Sequence, residues 1–222
     1  MLLEKNSKLI FIGDSVTDCG RDYDAEPAGW GSLGNGYANL VNAALTALYP
    51  EYRSMVINKG VNGNDILKLS ARWQKDVLDL NPDYVSVLIG VNDVWRHFDN
   101  AVFQQRDDLV DLALYRQKYQ DLIDQTKPQV KQMMIMSPAM FEPNRQNPMR
   151  AQVDQYRQVA EELAHKNGLL YIDTQKAIDH FLETTSSYIL TQDRVHPGDY
   201  KGHMLMANTW LNAIDFDWKR GQ

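Results

Sequence analysis

Cysteine is nearly absent from this chain. Cys19 stands alone among 222 residues, so an internal disulfide is excluded and a reducing compartment is permitted. Basic residues are in the minority, with 23 Lys and Arg against 29 Asp and Glu, a formal charge of −6 and a pI near 5.3. Nucleic-acid binders need a basic face and anionic membranes attract basic patches, so neither partner is expected. No apolar run approaches the ~18 residues of a membrane span. The opening residues M-L-L-E-K-N-S-K-L-I-F-I hold no long apolar stretch before the first strand, so no secretory signal is expected, and the compartment read from this is cytoplasmic. Repeats, low-complexity tracts and Pro/Gly/Ser linkers are missing, so residues 1–222 read as one domain. There is no His-Glu-x-x-His and no Cys pair, so neither a metal nor a cofactor is expected.

What is present is a regular alternation. Hydrophobic residues make up 44% of the chain, enough for a sizeable core. Apolar runs at 8–12, 55–57, 84–89, 133–136 and 169–172 alternate with helical patterns near 37–48, 65–79, 112–127, 149–166 and 203–214. Strands separated by single helices imply βαβ units, hence an α/β, three-layer fold with five parallel strands in a flavodoxin-like order. Three connections are longer than such a fold needs: about 20–36, 94–111 and 138–149. They follow strands 1, 3 and 4, crowd one rim of the sheet, and are the expected walls of a binding site.

That rim also collects reactive residues. The stretch L-I-F-I-G-D-S-V-T-D-C-G-R places Ser15 just past the first strand. Asn58-Lys59-Gly60 follows the second, Gly90-Val91-Asn92-Asp93 the third, and Asp193-Arg194-Val195-His196-Pro197 lies in a late loop. Alone, G-D-S is compatible with Ser15 merely capping a helix. Four blocks in this order resemble the SGNH or GDSL-like hydrolase family, over nearly the whole chain. The wording F-I-G-D-S-V-T-D-C-G-R, N-K-G-V-N-G-N, G-V-N-D-V-W-R and D-R-V-H-P is most similar to intracellular acetylxylan and acetyl-xylooligosaccharide esterases. One departure is Gln192, where those enzymes tend to carry Trp immediately before D-R-V-H. It bears on the sugar side and leaves the ester chemistry untouched.

The resemblance implies a Ser15–His196–Asp193 triad with Ser15, Gly60 and Asn92 as oxyanion donors. Elementary chemistry agrees with each role. A serine hydroxyl needs a base to take its proton, and imidazole titrates near working pH. An Asp three residues before a His can reach the ring Nδ1 in a tight turn. The Gly60 N–H and the Asn92 carboxamide are neutral donors suited to a developing oxyanion. The other histidines, His97, His165, His180 and His203, are expected at the surface. Asp14 and Asp93 are expected to bind loop N–H groups, and Asn62 and Asn64 to cap a helix starting near Asp65. Trp30, Trp95, Arg96 and Tyr188 are the candidate substrate contacts, because aromatic faces suit the C–H patches of sugars. G-V-N-G lacks the Gly-Lys-Ser/Thr ending of a phosphate loop, and no G-x-S-x-G elbow is present.

The expected activity is removal of O-acetyl groups from xylooligosaccharides or related sugars, the partner being a small acetylated carbohydrate. The resemblance is also compatible with a homo-oligomer. Two rivals differ in kind: a lysophospholipase or thioesterase with the same triad, and a non-catalytic carbohydrate-binding module on the same fold.

Overall fold

The apolar runs become strands β1 (Lys8–Gly13), β2 (Met55–Gly60), β3 (Tyr84–Leu88), β4 (Gln132–Met136) and β5 (Leu170–Ile172) in a computed structural model that describes residues 1–99 and 108–220. All four pairings are parallel and the strand order is β2-β1-β3-β4-β5. That is the flavodoxin-like order expected from the alternation. The connection after β1 runs one way, to β2, and the connection after β3 runs the other, to β4, which opens a crevice between the carboxyl ends of β1 and β3.

Helices α1 (Ser15–Asp18), α2 (Tyr37–Leu48), α3 (Ile66–Asp76), α4 (Val91–Trp95), α5 (Leu112–Thr126), α6 (Pro148–Asn167), α7 (Thr174–Leu182) and α8 (Asp199–Ala213) fill the connections. Side chains of β1 alternate between two cores. Leu9 and Phe11 pack with Val41, Leu45, Met206 and Trp210 of α2 and α8. Ile10 and Ile12 pack with Leu69, Tyr119 and Val159 of α3, α5 and α6 on the opposite face. Covering both faces is what a parallel sheet of continuous apolar strands requires. Among the described residues no helix is long and apolar enough to cross a membrane.

Among the helices, two expected boundaries shift by three residues or more and one helix is new. Helix α3 ends at Asp76 and a 3₁₀ turn, Leu78–Leu80, takes over the end of the expected helix. Helix α8 starts at Asp199, four residues early, because its first turn D-Y-K-G is polar and carries no apolar period. Helix α7 is absent from the expected pattern: Ile178 is fully buried beside Thr174 and Gln175, and Phe181 and Leu182 pack on the same side. Of the second long connection, residues 100–107 lie outside the described residues.

Candidate active site

Register brings the site together. Gly13 ends β1 opposite Gly60 of β2 on one side and Leu88 of β3 on the other. The residues that follow these three strand ends therefore meet on one rim. Asp14 caps α1 by accepting from the Val16 N–H at 3.0 Å, so the capping role falls to Asp14 and leaves the Ser15 hydroxyl available. Ser15 Oγ lies 2.8 Å from His196 Nε2, and His196 Nδ1 lies 2.6 Å from Asp193 Oδ2.

The 191–196 turn is built around Asp193. Its Oδ1 accepts from the backbone N–H groups of Val195 (2.9 Å) and His196 (2.8 Å), while Arg194 adopts a left-handed φ of 66°. Partial burial pushes the Asp193 carboxyl up, but the bonds from the His196 ring and the two amides outweigh it and hold the group below its ordinary value. An anionic Asp193 fixes the ring proton on Nδ1, so Nε2 faces Ser15 as the acceptor.

The donor side departs from expectation at Gly60. Its N–H donates to Asn58 Oδ1 at 2.8 Å, and Arg21 Nε donates to its carbonyl at 2.7 Å. A Cβ at Gly60 would meet the Asp18 N at 2.1 Å, so the residue is walled in against α1. Its N–H is thus already taken and cannot serve an oxyanion without breaking a buried bond. Three residues on, Gly63 has φ +71° and a side chain there would enter open space. Asn92 is buried in α4; its Nδ2 donates to the Asn64 carbonyl at 3.0 Å, which joins α4 to the 61–64 turn. A carboxamide nitrogen has a second N–H to offer.

Two buried carboxylic acids flank these groups. Asp14 is pushed up to about 6 by burial, against the pull of the Val16 N–H and of His196. Asp93 is pushed up to about 8 by burial; its Oδ1 accepts from the Ile66 N–H at 2.9 Å and its Oδ2 has no partner. Both thus bind backbone N–H groups. The cap of α3 is Asp65, which accepts from Lys68 N at 2.9 Å, and not Asn62 or Asn64. Asn64 Oδ1 instead accepts from Arg72, and the Asn62 N–H donates to Asp18. His203 is a second correction: it is 3% exposed, accepts from the Tyr37 N–H at Nδ1, and places Nε2 3.2 Å from Cys19 Sγ. Burial pulls its ring down to about 4 and pushes the Cys19 thiol up, so both stay neutral at pH 7.

The four candidate contacts separate. Trp95 lies beside the triad, its ring 5.7 Å from that of His196. Arg96 donates to Asn92 Oδ1 at 2.9 Å and to Asp99 at 2.7 Å. Trp30 is fully exposed at the tip of the 20–36 loop, and Tyr188 is exposed in the turn before residues 191–196. A small apolar cavity adjoins the triad, with Val16, Val91, Val195 and Pro197, the neighbours of Ser15, Asn92 and His196, in its wall.

Known proteins resemble this chain over its whole length. Residues 11–203 match the GDSL-like lipase/acylhydrolase family. A protein described as an acetylxylan esterase of Geobacillus stearothermophilus is 41% identical over 222 residues, the whole of both chains. The crystal structure of that organism's acetylxylan esterase Axe2 superposes with a TM-score of 0.94 at 42% identity over all of both chains. LAE5, described as an alpha/beta hydrolase enzyme from a lake metagenome, gives a TM-score of 0.92 at 40% identity over 97% of this chain and 98% of its own. The chain belongs to the GDSL-like lipase/acylhydrolase family.

Proposed function

We infer that this protein is a serine esterase that removes O-acetyl groups from acetylated xylooligosaccharides through Ser15, His196 and Asp193. The observation that carries the reading is the continuous bond chain from Ser15 Oγ through His196 to Asp193. The full-length likeness to an acetylxylan esterase supports the acetyl-sugar substrate. Structures of that relative described as catalytic mutants at a serine, an aspartate and a histidine support the three roles.

In this mechanism His196 Nε2 takes the Ser15 proton as Oγ attacks the acetyl carbonyl carbon. The imidazolium is held by Asp193, which stays ionised. Negative charge gathers on the former carbonyl oxygen, where the Ser15 N–H, the second N–H of Asn92 and the Gly63 N–H are the donors, Gly63 replacing Gly60. His196 then gives its proton to the departing sugar oxygen, leaving acetyl-Ser15. Water, deprotonated by His196, attacks the acetyl group; acetate leaves and Ser15 regains its proton. Trp95 beside His196 is suited to cover one face of the sugar ring.

Release of acetate from defined acetylated xylooligosaccharides, followed by proton NMR, tests the reading. Turnover of these sugars with none on long-chain acyl glycerophosphocholines supports it. The opposite preference assigns the site to a lysophospholipase, and binding without turnover to a carbohydrate-binding module.

A further inference from the structure

The Asn92 carboxamide is gripped from both ends. Arg96, four residues on and just past the end of α4, donates from Nη2 to Asn92 Oδ1 at 2.9 Å. Asn92 Nδ2 donates to the Asn64 carbonyl at 3.0 Å. A guanidinium can only donate and a backbone carbonyl can only accept, so these partners allow one of the two orientations of the amide. Each grip is itself anchored. Arg96 Nη1 donates to Asp99 Oδ2 at 2.7 Å, and its guanidinium lies 5.4 Å from the Trp95 ring. Asn64 Oδ1 accepts from Arg72 Nε at 2.7 Å, and Arg72 Nη2 reaches the Gly13 carbonyl, just ahead of Asp14 and Ser15, at 2.9 Å.

We propose that Arg96 is a positioning residue for oxyanion stabilisation, holding the Asn92 amide nitrogen toward the reacting carbonyl and polarising it through a charge-assisted bond to Oδ1. The proposal rests on Asn92 acting as an oxyanion donor. The terminal torsion of an asparagine is broad and roughly two-fold, so an ungripped Asn92 would also populate the flipped state, with its oxygen facing the oxyanion. That state repels the charge it should stabilise. A cation on Oδ1 excludes it and draws electron density from the amide nitrogen, which makes the remaining N–H a stronger donor. This differs from the direct substrate contact expected of Arg96 from sequence. A sugar contact acts on substrate binding, whereas a grip on Asn92 acts on the transition state.

A double-mutant cycle with R96M and N92A tests the proposal, reading kcat and KM for acetyl ester hydrolysis, the melting temperature, and the affinity of phenylboronic acid, which forms a tetrahedral adduct on serine. R96M is expected to lower kcat roughly ten- to a hundredfold with KM within about twofold, and to weaken the boronate by a similar factor. In the N92A background R96M should change kcat by less than about twofold, because the group it positions is gone. Equal losses in both backgrounds, or a KM rise with kcat intact, overturn the proposal. Should R96M fail to fold, R96K keeps the charge and reads the same cycle, with a smaller loss and the same dependence on Asn92. An N92A variant with wild-type kcat overturns the oxyanion reading itself. A large N92A loss with an additive R96M loss overturns the role of Arg96 alone.

Discussion

The backbone N–H of Gly60 donates to the side-chain oxygen of Asn58 at 2.8 Å, and the same carboxamide donates to the carbonyls of Thr17 (2.6 Å) and Leu33 (2.9 Å). Asn58 thereby ties β2 to the helix that carries Ser15 and to the loop behind it. N58A strips three backbone groups of their partner, at about 1–3 kcal/mol for each one left buried. A fall in melting temperature of several degrees is expected.

The two glycines beside it should respond in opposite degrees. At Gly60 a methyl group would lie 2.1 Å from the Asp18 backbone nitrogen, where nothing flexible can yield. G60A is expected to lose soluble, folded protein. At Gly63 the methyl meets nothing within 4 Å, and the cost is the left-handed φ of +71°, roughly 1–2 kcal/mol. Thermal melts of both variants check the ranking; a G63A variant less stable than G60A contradicts it.

Asp93 should make stability depend on pH. Its folded carboxyl sits at about 8, raised by burial from an unfolded value near 3.8. A group raised in the folded state contributes its full stability below the unfolded value and loses it as pH climbs through the folded one. Between about pH 4 and 8 the wild type should therefore lose stability relative to D93N, which cannot ionise. Melting temperatures of the two proteins at pH 5, 7 and 9 test the slope, whatever the offset between them. A difference that is flat across this range contradicts the assignment.

The sheet was legible because each strand contains a short apolar run bounded by turn residues, with a long helical pattern before the next. The bond chain Ser15–His196–Asp193 was legible because Asp193 and His196 sit three residues apart in one turn, and Ser15 follows a strand closely. Helix α7 escaped because it is only nine residues long and its apolar residues, Ile178, Phe181 and Leu182, gather at one end while its first turn buries Thr174 and Gln175. The engagement of Gly60 escaped although it is local: an Asn can accept from the N–H two residues on, but sequence order does not show which N–H groups are taken. His203 looked like a surface residue since its partners, Cys19 and Tyr37, come from the other end of the chain. The link from Arg96 to Asn92 was within reach: four residues apart in a helical turn is the spacing at which side chains meet.

Arg150 should be the chain's most sensitive cation outside the site. It is fully buried and bonds Asp154 at 3.1 Å, both oxygens of Asp179 at 2.9 and 2.8 Å, and the Glu142 carbonyl at 2.7 Å. The 138–147 segment it anchors also holds the 191–196 turn, through the Phe141 N–H on the Arg194 carbonyl at 2.7 Å and a Glu142–Arg194 ion pair. R150M leaves Asp179 short of its main partner and is expected to cost about 3–5 kcal/mol, as breaking a buried pair does. Chemical denaturation measures it; a loss under about 1 kcal/mol contradicts the network's role.

Acyl size follows from what adjoins Ser15. A long chain would gain about 0.8 kcal/mol for each buried CH₂ only where an apolar groove receives it. Here the adjoining apolar space is small and walled by core residues such as Leu88, Phe141 and Ile178, all buried. The value of kcat/KM should fall at least about tenfold from acetyl to butyryl and be negligible for octanoyl esters. Nitrophenyl esters of rising length check it, and rates that climb with length contradict it.

The most direct test of the central claim is active-site labelling with a stoichiometric serine-reactive phosphonate, located by peptide mass spectrometry alongside ester turnover. One phosphonate on Ser15, with turnover lost in proportion and both abolished in a folded S15A variant, is the predicted result. Labelling at Ser32 or Ser137 instead, or wild-type turnover by S15A, contradicts the account.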